Sequence, residues 1–327
     1  MQFSEAKEAF LNNLEKQRGY SINTTDAYRR DLDQFAEVVQ VSEQTEVADI
    51  FVKGNIRKYV YWLKESGQKS KSIARKRSCL LSFGKFLVKR EALSSNPVRL
   101  IYAIKIDKNI PAIITQPQMQ DLGDAYEEPT PQNSEIENIK PTSVRDKLII
   151  EFLYGSGIRV SELSNLMKSN INKHNQTMRV IGKGNKERIV PITDAALALL
   201  EEFLKENPRG VFIFDRTAKS GRKESKNYEA MSKSRRDLRN KERSLLSIRR
   251  IRQIVERELS AVSAAKKRSP HILRHSFASH LLDNGADIRV VKEMLGHSSL
   301  ASTQVYTHVN IEKMLKSFKQ AHPRSGQ

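Results

Sequence analysis

The stretch Pro270–Val309, PHILRHSFASHLLDNGADIRVVKEMLGHSSLASTQVYTHV, decides how the chain is read. Its spacing sets His271 and Arg274 one helical turn apart, so both project from one helix face. An amphipathic helix then runs through Ile288–Leu295 to a stop at Gly296, and His297 stands just past that stop. Tyr306 follows nine residues later, between Val305 and His308, in a segment rich in Ser and Thr. Two imidazoles, a guanidinium and a phenol can hold an anion and supply an oxygen nucleophile. Each alone is as well explained by capping or core packing; the rest of the chain has to decide.

A length of 327 residues suggests two domains, each able to bury its own core. The net charge of +19 favours a polyanionic partner, nucleic acid before membrane surface. A single cysteine, Cys79, excludes an intramolecular disulfide framework and a cysteine metal cluster, and suits a reducing setting. The N-terminal MQFSEAKEAF has no apolar core of a signal peptide, and no apolar run reaches the ~20 residues of a membrane span. The expectation is a cytoplasmic protein with no membrane partner.

Along the chain, residues 4–51 hold five basic and ten acidic side chains, and residues 53–108 reverse this to fifteen and three. Helical periodicity runs through Phe3, Phe10 and Leu14; Tyr28, Leu32, Phe35 and Val39; Ile56, Tyr59, Val60 and Leu63; and Ile73, Leu80, Leu81, Leu87 and Val88. The last helix carries Lys71, Arg75, Ser78, Ser82, Lys85 and Lys89 on its other side. That stripe reads either as a solvated face or, given the abrupt change of sign, as a surface that lies against phosphates. Asn96-Pro97 is read as the end of this helical module, and Lys105–Pro111 as an extended basic linker. The expected division is a helical domain over 1–106, a linker over 107–116 and a second domain over 117–327.

The second domain restarts with a helix over Gln116–Tyr126. A proline-bearing acidic loop over Glu127–Ser143 leads to a buried helix over Val144–Tyr154 that Gly155-Ser156-Gly157 stops. In Ile158-Arg159-Val160-Ser161-Glu162-Leu163, Ser161 is read as the N-cap, which sets Arg159 beside a helix N-terminus, a favourable place for an anion. A surface Arg–Glu pair is the plain alternative for Arg159 and Glu162. The β-branched runs Met178–Ile181 and Arg188–Ile192 flank the turn GKGNKE, with Lys183 at its tip. Residues 216–252 carry fourteen basic and four acidic side chains. Overlapping their end, Ser247–Leu259 is a helix whose first turns crowd Arg249, Arg250 and Arg252, a geometry suited to a groove or backbone contact.

Arg159, Lys183, His271, Arg274, His297 and Tyr306 together suit an attack on a phosphodiester. Forked guanidiniums can hold the non-bridging oxygens bidentately and a histidine can add a third donor, each worth roughly 3–4 kcal/mol of barrier. A tyrosine hydroxyl, with an ordinary pKa near ~10, needs a base or a cationic setting. The leaving alkoxide needs a proton, which a lysine can deliver. No carboxylate cluster is spaced for two metal ions, Glu162 being the only acid in the constellation, and His271-Ile-Leu-Arg-His275 is not a zinc-protease pattern.

These residues resemble the tyrosine recombinases, the integrase family of site-specific DNA recombinases, and within it the bacterial Xer proteins. The resemblance is carried by GSGIRVSEL, by GKGNKERIVP and above all by the Pro270–Val309 block, where identities and spacings match together. It implies a mainly α protein of two domains: an N-terminal four-helix SAM-like core-binding clamp, and an α-rich catalytic domain with a small β-sheet or hairpin. It implies that Tyr306 attacks the scissile phosphate to form a 3′-phosphotyrosyl intermediate, that Arg159, Arg274 and His297 grip the phosphate, and that Lys183 is the general acid. His271 would assist proton transfer at the tyrosine, and Glu162 would buttress His271 and the arginines. Neither metal nor ATP is required, because the phosphotyrosine keeps the energy of the broken bond, and no cofactor is expected.

Implied partners are a double-stranded DNA recombination site and further recombinase subunits, as a homotetramer on two sites or a heterotetramer with a paralogue, acting through a Holliday junction. A septal FtsK-type DNA translocase is a possible activator, and the terminal helix, Ile311–Gln320, would dock on a neighbouring protomer. The implied role is resolution of chromosome or plasmid dimers at cell division. A mobile-element integrase, a type IB topoisomerase and a non-catalytic DNA binder of the same fold are the alternatives. The chain departs from the usual Xer pattern in a longer, more basic Arg216–Leu246 stretch and an enlarged Glu127–Ser143 loop.

Overall fold

The computed structural model describes residues 1–16, 20, 22–42, 44–101, 113–127, 143–182, 186–215, 245–263, 268–296 and 308–324. The chain divides into two compact units, Met1–Asn109 and Ile110–Gln327.

The first unit packs α1 (Phe3–Lys16), α2 (Ile22–Val39), the single turn α3 (Val47–Ile50), α4 (Lys53–Glu65) and α5 (Ser70–Lys89). The apolar residues recur at helical spacing, so each helix turns one stripe inward, and aromatic rings fill the centre. Phe51 meets Phe83 edge-on at 5.3 Å and Phe35 meets Tyr59 at 5.4 Å. Leu81 and Val88, expected in the core of α5, are only half-buried, and Phe83 and Phe86 take the inward positions instead. α5 is not the last element of the module. It ends at Lys89, and the chain turns out through Glu91 at φ 58°. Asn96 caps a separate 3-10 turn over Pro97–Leu100, its side chain accepting from Val98 N at 3.1 Å.

The second unit is built around α7 (Val144–Gly155), where Leu148, Ile149, Ile150, Phe152, Leu153 and Tyr154 are all buried. A helix apolar on every side has to be enclosed, and α9 (Asp194–Glu206) and α11 (Pro270–Asp283) cover it. Around them lie α6 (Gln116–Glu127), the short α8 (Val160–Ser164), α10 (Ile248–Val262), α12 (Ile288–Leu295) and α13 (His308–Ala321).

A three-stranded antiparallel sheet, β1 (Ile171–Asn172), β2 (Thr177–Ile181) and β3 (Glu187–Pro191), stands in the order β1-β2-β3. Met178 pairs with Val190 and Val180 with Arg188. Val211–Phe214 is a largely buried connection, bridged from Phe212 to Met167.

The terminal helix α13 packs on its own unit. Met314, Phe318 and Ala321 join its core, the Phe318 ring stacks on His322 at 4.8 Å, and Arg324 pairs with the buried Glu151.

Candidate active site

Three short structural devices bring the site together. The first is the turn before α8. Gly157 takes φ 61°, and a Cβ there would lie 2.4 Å from Phe277 Cδ1, so only glycine lets the chain cross α11 at this point. The turn delivers Arg159 to the N-cap position of α8, two residues earlier than the Ser161 cap expected from sequence. Glu162, three residues on, reaches back to accept the backbone N–H of Arg159 at 2.7 Å and its Nη1 at 2.9 Å. Glu162 is 6% exposed, so the plain alternative of a surface pair is excluded.

The second device is α11. Ser269 is its N-cap residue and Pro270 opens its first turn. His271 is exposed in that turn, and Arg274 is half-buried one turn on, donating from Nη1 to Gly157 O.

The third is the end of α12. Asp287 caps its start, its side chain accepting from Arg289 N at 2.7 Å, and Gly296 ends it in the left-handed conformation at φ 63° and ψ 47°. The last carbonyls of a helix lack intrahelical partners, and here three arginines from three elements take them. Arg188 Nε donates to Met294 O at 2.7 Å, Arg274 Nη2 donates to Leu295 O, and Arg159 Nη2 approaches Gly296 O at 3.4 Å.

Arg188 was not anticipated as a site residue. It lies on β3, its guanidinium donating from Nη1 and Nη2 to the two oxygens of Glu162 at 2.8 Å each. The available signal was strand alternation: Arg188 shares the inward face with Val190, and a charge on that face calls for a buried partner. The partners of Glu162 are therefore Arg159 and Arg188; among the described residues it makes no hydrogen bond to His271.

The electrostatics follow the contacts. Burial by itself would raise the carboxyl of Glu162, but the hydrogen bonds and charge of Arg188, with the N–H and guanidinium of Arg159, outweigh it and hold it at about 2. Burial, then repulsion from Arg159 and Arg188, brings Arg274 down to about 10, with Glu162 opposing. Three guanidiniums and one carboxylate in contact distance leave a surplus of positive charge, a site built for an anion.

Of the other expected site residues, Lys183, His297 and Tyr306 lie outside the described residues. Among the DNA-contact candidates, Lys71 and Lys85 are exposed on α5 and Arg249, Arg250 and Arg252 on α10. Arg75 is otherwise engaged, donating from both terminal nitrogens to the buried carboxylate of Asp31. Among the described residues no group of three His, Cys, Asp or Glu side chains is placed to hold a metal ion, and no helix is long and apolar enough to cross a membrane.

The second unit is mainly helical with a small antiparallel sheet, and three arginines gather between that sheet and a helix end. The sequence profile of the phage integrase family matches residues 113–313, and that of the phage integrase N-terminal SAM-like domain matches residues 8–91. The chain belongs to the phage integrase family and is a tyrosine recombinase of the Xer type. It is 36% identical over 320 residues to the tyrosine recombinase XerD of Chlorobaculum tepidum, covering 97% of this chain and 96% of that one. It is 34% identical over 316 residues to the tyrosine recombinase XerC of Thermodesulfovibrio yellowstonii, covering 97% and 95%. The fold is shared with a lambda integrase dimer bound to a COC′ core site, with TM-score 0.63, 17% identity and coverage of 94% and 100%. It is shared too with the Tn1549 transposon integrase in complex with transposon right end DNA, with TM-score 0.64, 15% identity and coverage of 97% and 94%.

Proposed function

We propose that this chain cuts and rejoins double-stranded DNA at a specific site through a 3′-phosphotyrosyl intermediate, resolving chromosome or plasmid dimers at cell division. The observation that supports it best is the convergence of Arg159 and Arg274 on adjacent carbonyls at the end of α12, immediately before His297 in the chain. Each guanidinium keeps N–H groups beyond those used in the contacts described, enough to hold two non-bridging oxygens of a phosphodiester. His297 supplies a further donor.

The Tyr306 hydroxyl forms the new bond to phosphorus as the bond to the 5′ oxygen breaks, and its proton passes toward His271. Lys183 gives the proton that the departing 5′ oxygen needs. The phosphodiester is conserved as a phosphotyrosine, so rejoining needs only the reverse attack by a 5′-hydroxyl. No metal or nucleotide enters either step. Lys71 and Lys85 of the first unit and Arg249, Arg250 and Arg252 of the second contact the backbone of the duplex. Four subunits act on two sites, either alike or with a paralogue, in the cytoplasm, where a septal translocase can reach them.

The test is a nicked suicide duplex carrying a site recovered from genomic fragments that the protein binds. Wild-type protein should trap a covalent adduct. Tyr306→Phe should bind the duplex within about twofold and trap none, as expected when an interaction needed only for the chemical step is removed. An adduct that persists in Tyr306→Phe overturns the proposal.

A further inference from the structure

Arg188 is the most fully committed of the three site arginines. Its side chain is 5% exposed, and every one of its nitrogens is engaged: Nη1 and Nη2 on Glu162 at 2.8 Å each, Nε on Met294 O at 2.7 Å. Turning it toward a substrate would strand a buried carboxylate. It does not grip phosphate; its surroundings show what it holds instead.

Gly182, the residue before Lys183, rests on the pair: a Cβ there would lie 3.4 Å from Glu162 Oε1 and 3.5 Å from Arg188 Nη1. Gly296, the residue before His297, rests on it from another side, with a Cβ position 3.2 Å from Arg188 Cδ and Nη1. Arg159 holds the same carboxylate through its backbone and its side chain. One buried ion pair thus underlies the backbone leading into two expected catalytic residues and carries a third.

We infer that Arg188 is a positioning residue, which with Glu162 sets the hairpin bearing Lys183, the α12 end leading to His297, and Arg159 in mutual register. The inference rests on the roles proposed above for those three residues. Arginine is required because the arrangement uses a two-point fork and a third N–H in one plane; lysine supplies the charge at a single point. Misplacing a reacting group by about 1 Å can cost about 100-fold in rate, so a loose pair acts on catalysis well before it acts on DNA affinity.

The experiment compares Arg188→Lys and Arg188→Met, as full-length protein, on two suicide duplexes. One has the natural bridging 5′ oxygen at the scissile bond; the other has sulfur there. A thiolate leaves without a proton donor, so a displaced Lys183 is not felt on the sulfur substrate. Both variants should bind DNA within about twofold, cleave the oxygen substrate about 100-fold slower, and lose about 10-fold less on the sulfur substrate. Oxygen cleavage within about twofold of wild type in Arg188→Lys overturns the inference, as does an equal loss on both substrates. Should Arg188→Met fail to fold, Arg188→Lys decides alone, since it keeps a charge opposite Glu162. Absence of a Tyr306 adduct in wild-type protein would instead count against the proposed function itself.

Discussion

Replacing Glu162 by glutamine perturbs the buried pair in a way that pH can read. The carboxyl sits at about 2 in the folded chain against an ordinary 4.5, because two arginines outweigh the cost of burying it. A carboxylate depressed by folding contributes stability that is fully present above its unfolded value and is lost as pH falls through its folded value. A difference of about 2.5 units at ~1.4 kcal/mol each is roughly 3 kcal/mol near pH 6, of which less than half survives near pH 3. Glutamine has no charge to lose. The gap in unfolding free energy between wild type and Glu162→Gln should therefore narrow by roughly 2 kcal/mol as pH falls from about 6 to about 3. Urea unfolding followed by far-UV circular dichroism measures it. The single tryptophan, Trp62, lies on α4 in the first unit, so its fluorescence transition is an internal control that should coincide in the two proteins. A gap that does not change with pH would show that the carboxylate is not held by its arginines, and would refute the reasoning.

Other substitutions probe the same framework. Gly296→Ala forces a side chain into the left-handed region, 3.2 Å from Arg188, and should cost roughly 1–2 kcal/mol of stability while slowing suicide-duplex cleavage; unchanged values of both would contradict the packing described. Gly157→Ala adds a collision with Phe277 to a positive φ, and thermal unfolding should show a loss of roughly 2–5 kcal/mol. Replacing Arg249, Arg250 and Arg252 together by alanine should lower the slope of log K against log salt by about 3 if each neutralises one phosphate, as binding titrations over a salt series would show. Deleting residues 216–241, which lie outside the described residues, should flatten the same slope if that basic stretch lies on DNA.

Local signals were legible in the sequence because their physics is local. The amphipathic run through Ile288–Leu295 and the glycine that stops it came out as read, since a helix face and a left-handed cap depend on neighbours within a turn. The hairpin of β2 and β3 was legible for the same reason. Where the reading slipped, a nearby competitor won. Arg159 caps α8 because Glu162 reaches back to its N–H, which displaces Ser161 from the role. Arg188 is a different case. Its partner is 26 residues away on another element, and its third contact, Met294, is 106 residues away. No spacing rule reaches that far, and only the inward strand position hinted at it. Arg75 shows the same limit, its partner Asp31 being 44 residues back on α2.

The arrangement of the three arginines explains how like charges can gather before any phosphate arrives. A helix C-terminus carries a partial negative charge, and three of its free carbonyls face the guanidiniums. Arg188 is neutralised by Glu162, which leaves Arg159 and Arg274 as an excess of two positive charges. The lowered Arg274, at about 10, registers its burial first and then the repulsion from Arg159 and Arg188. A phosphodiester brings one negative charge, whereas attack by a tyrosine oxygen carries a second into the five-coordinate transition state. On the proposed role of Arg159 and Arg274 as the phosphate grip, a site holding two uncompensated positive charges is under-satisfied by bound DNA and better matched by the state in which the strand is breaking, which is the condition for binding energy to appear as rate. The buried pair of Arg188 and Glu162 makes that mismatch sustainable, because it fixes Arg159 without supplying a counter-charge to the face that meets the phosphate.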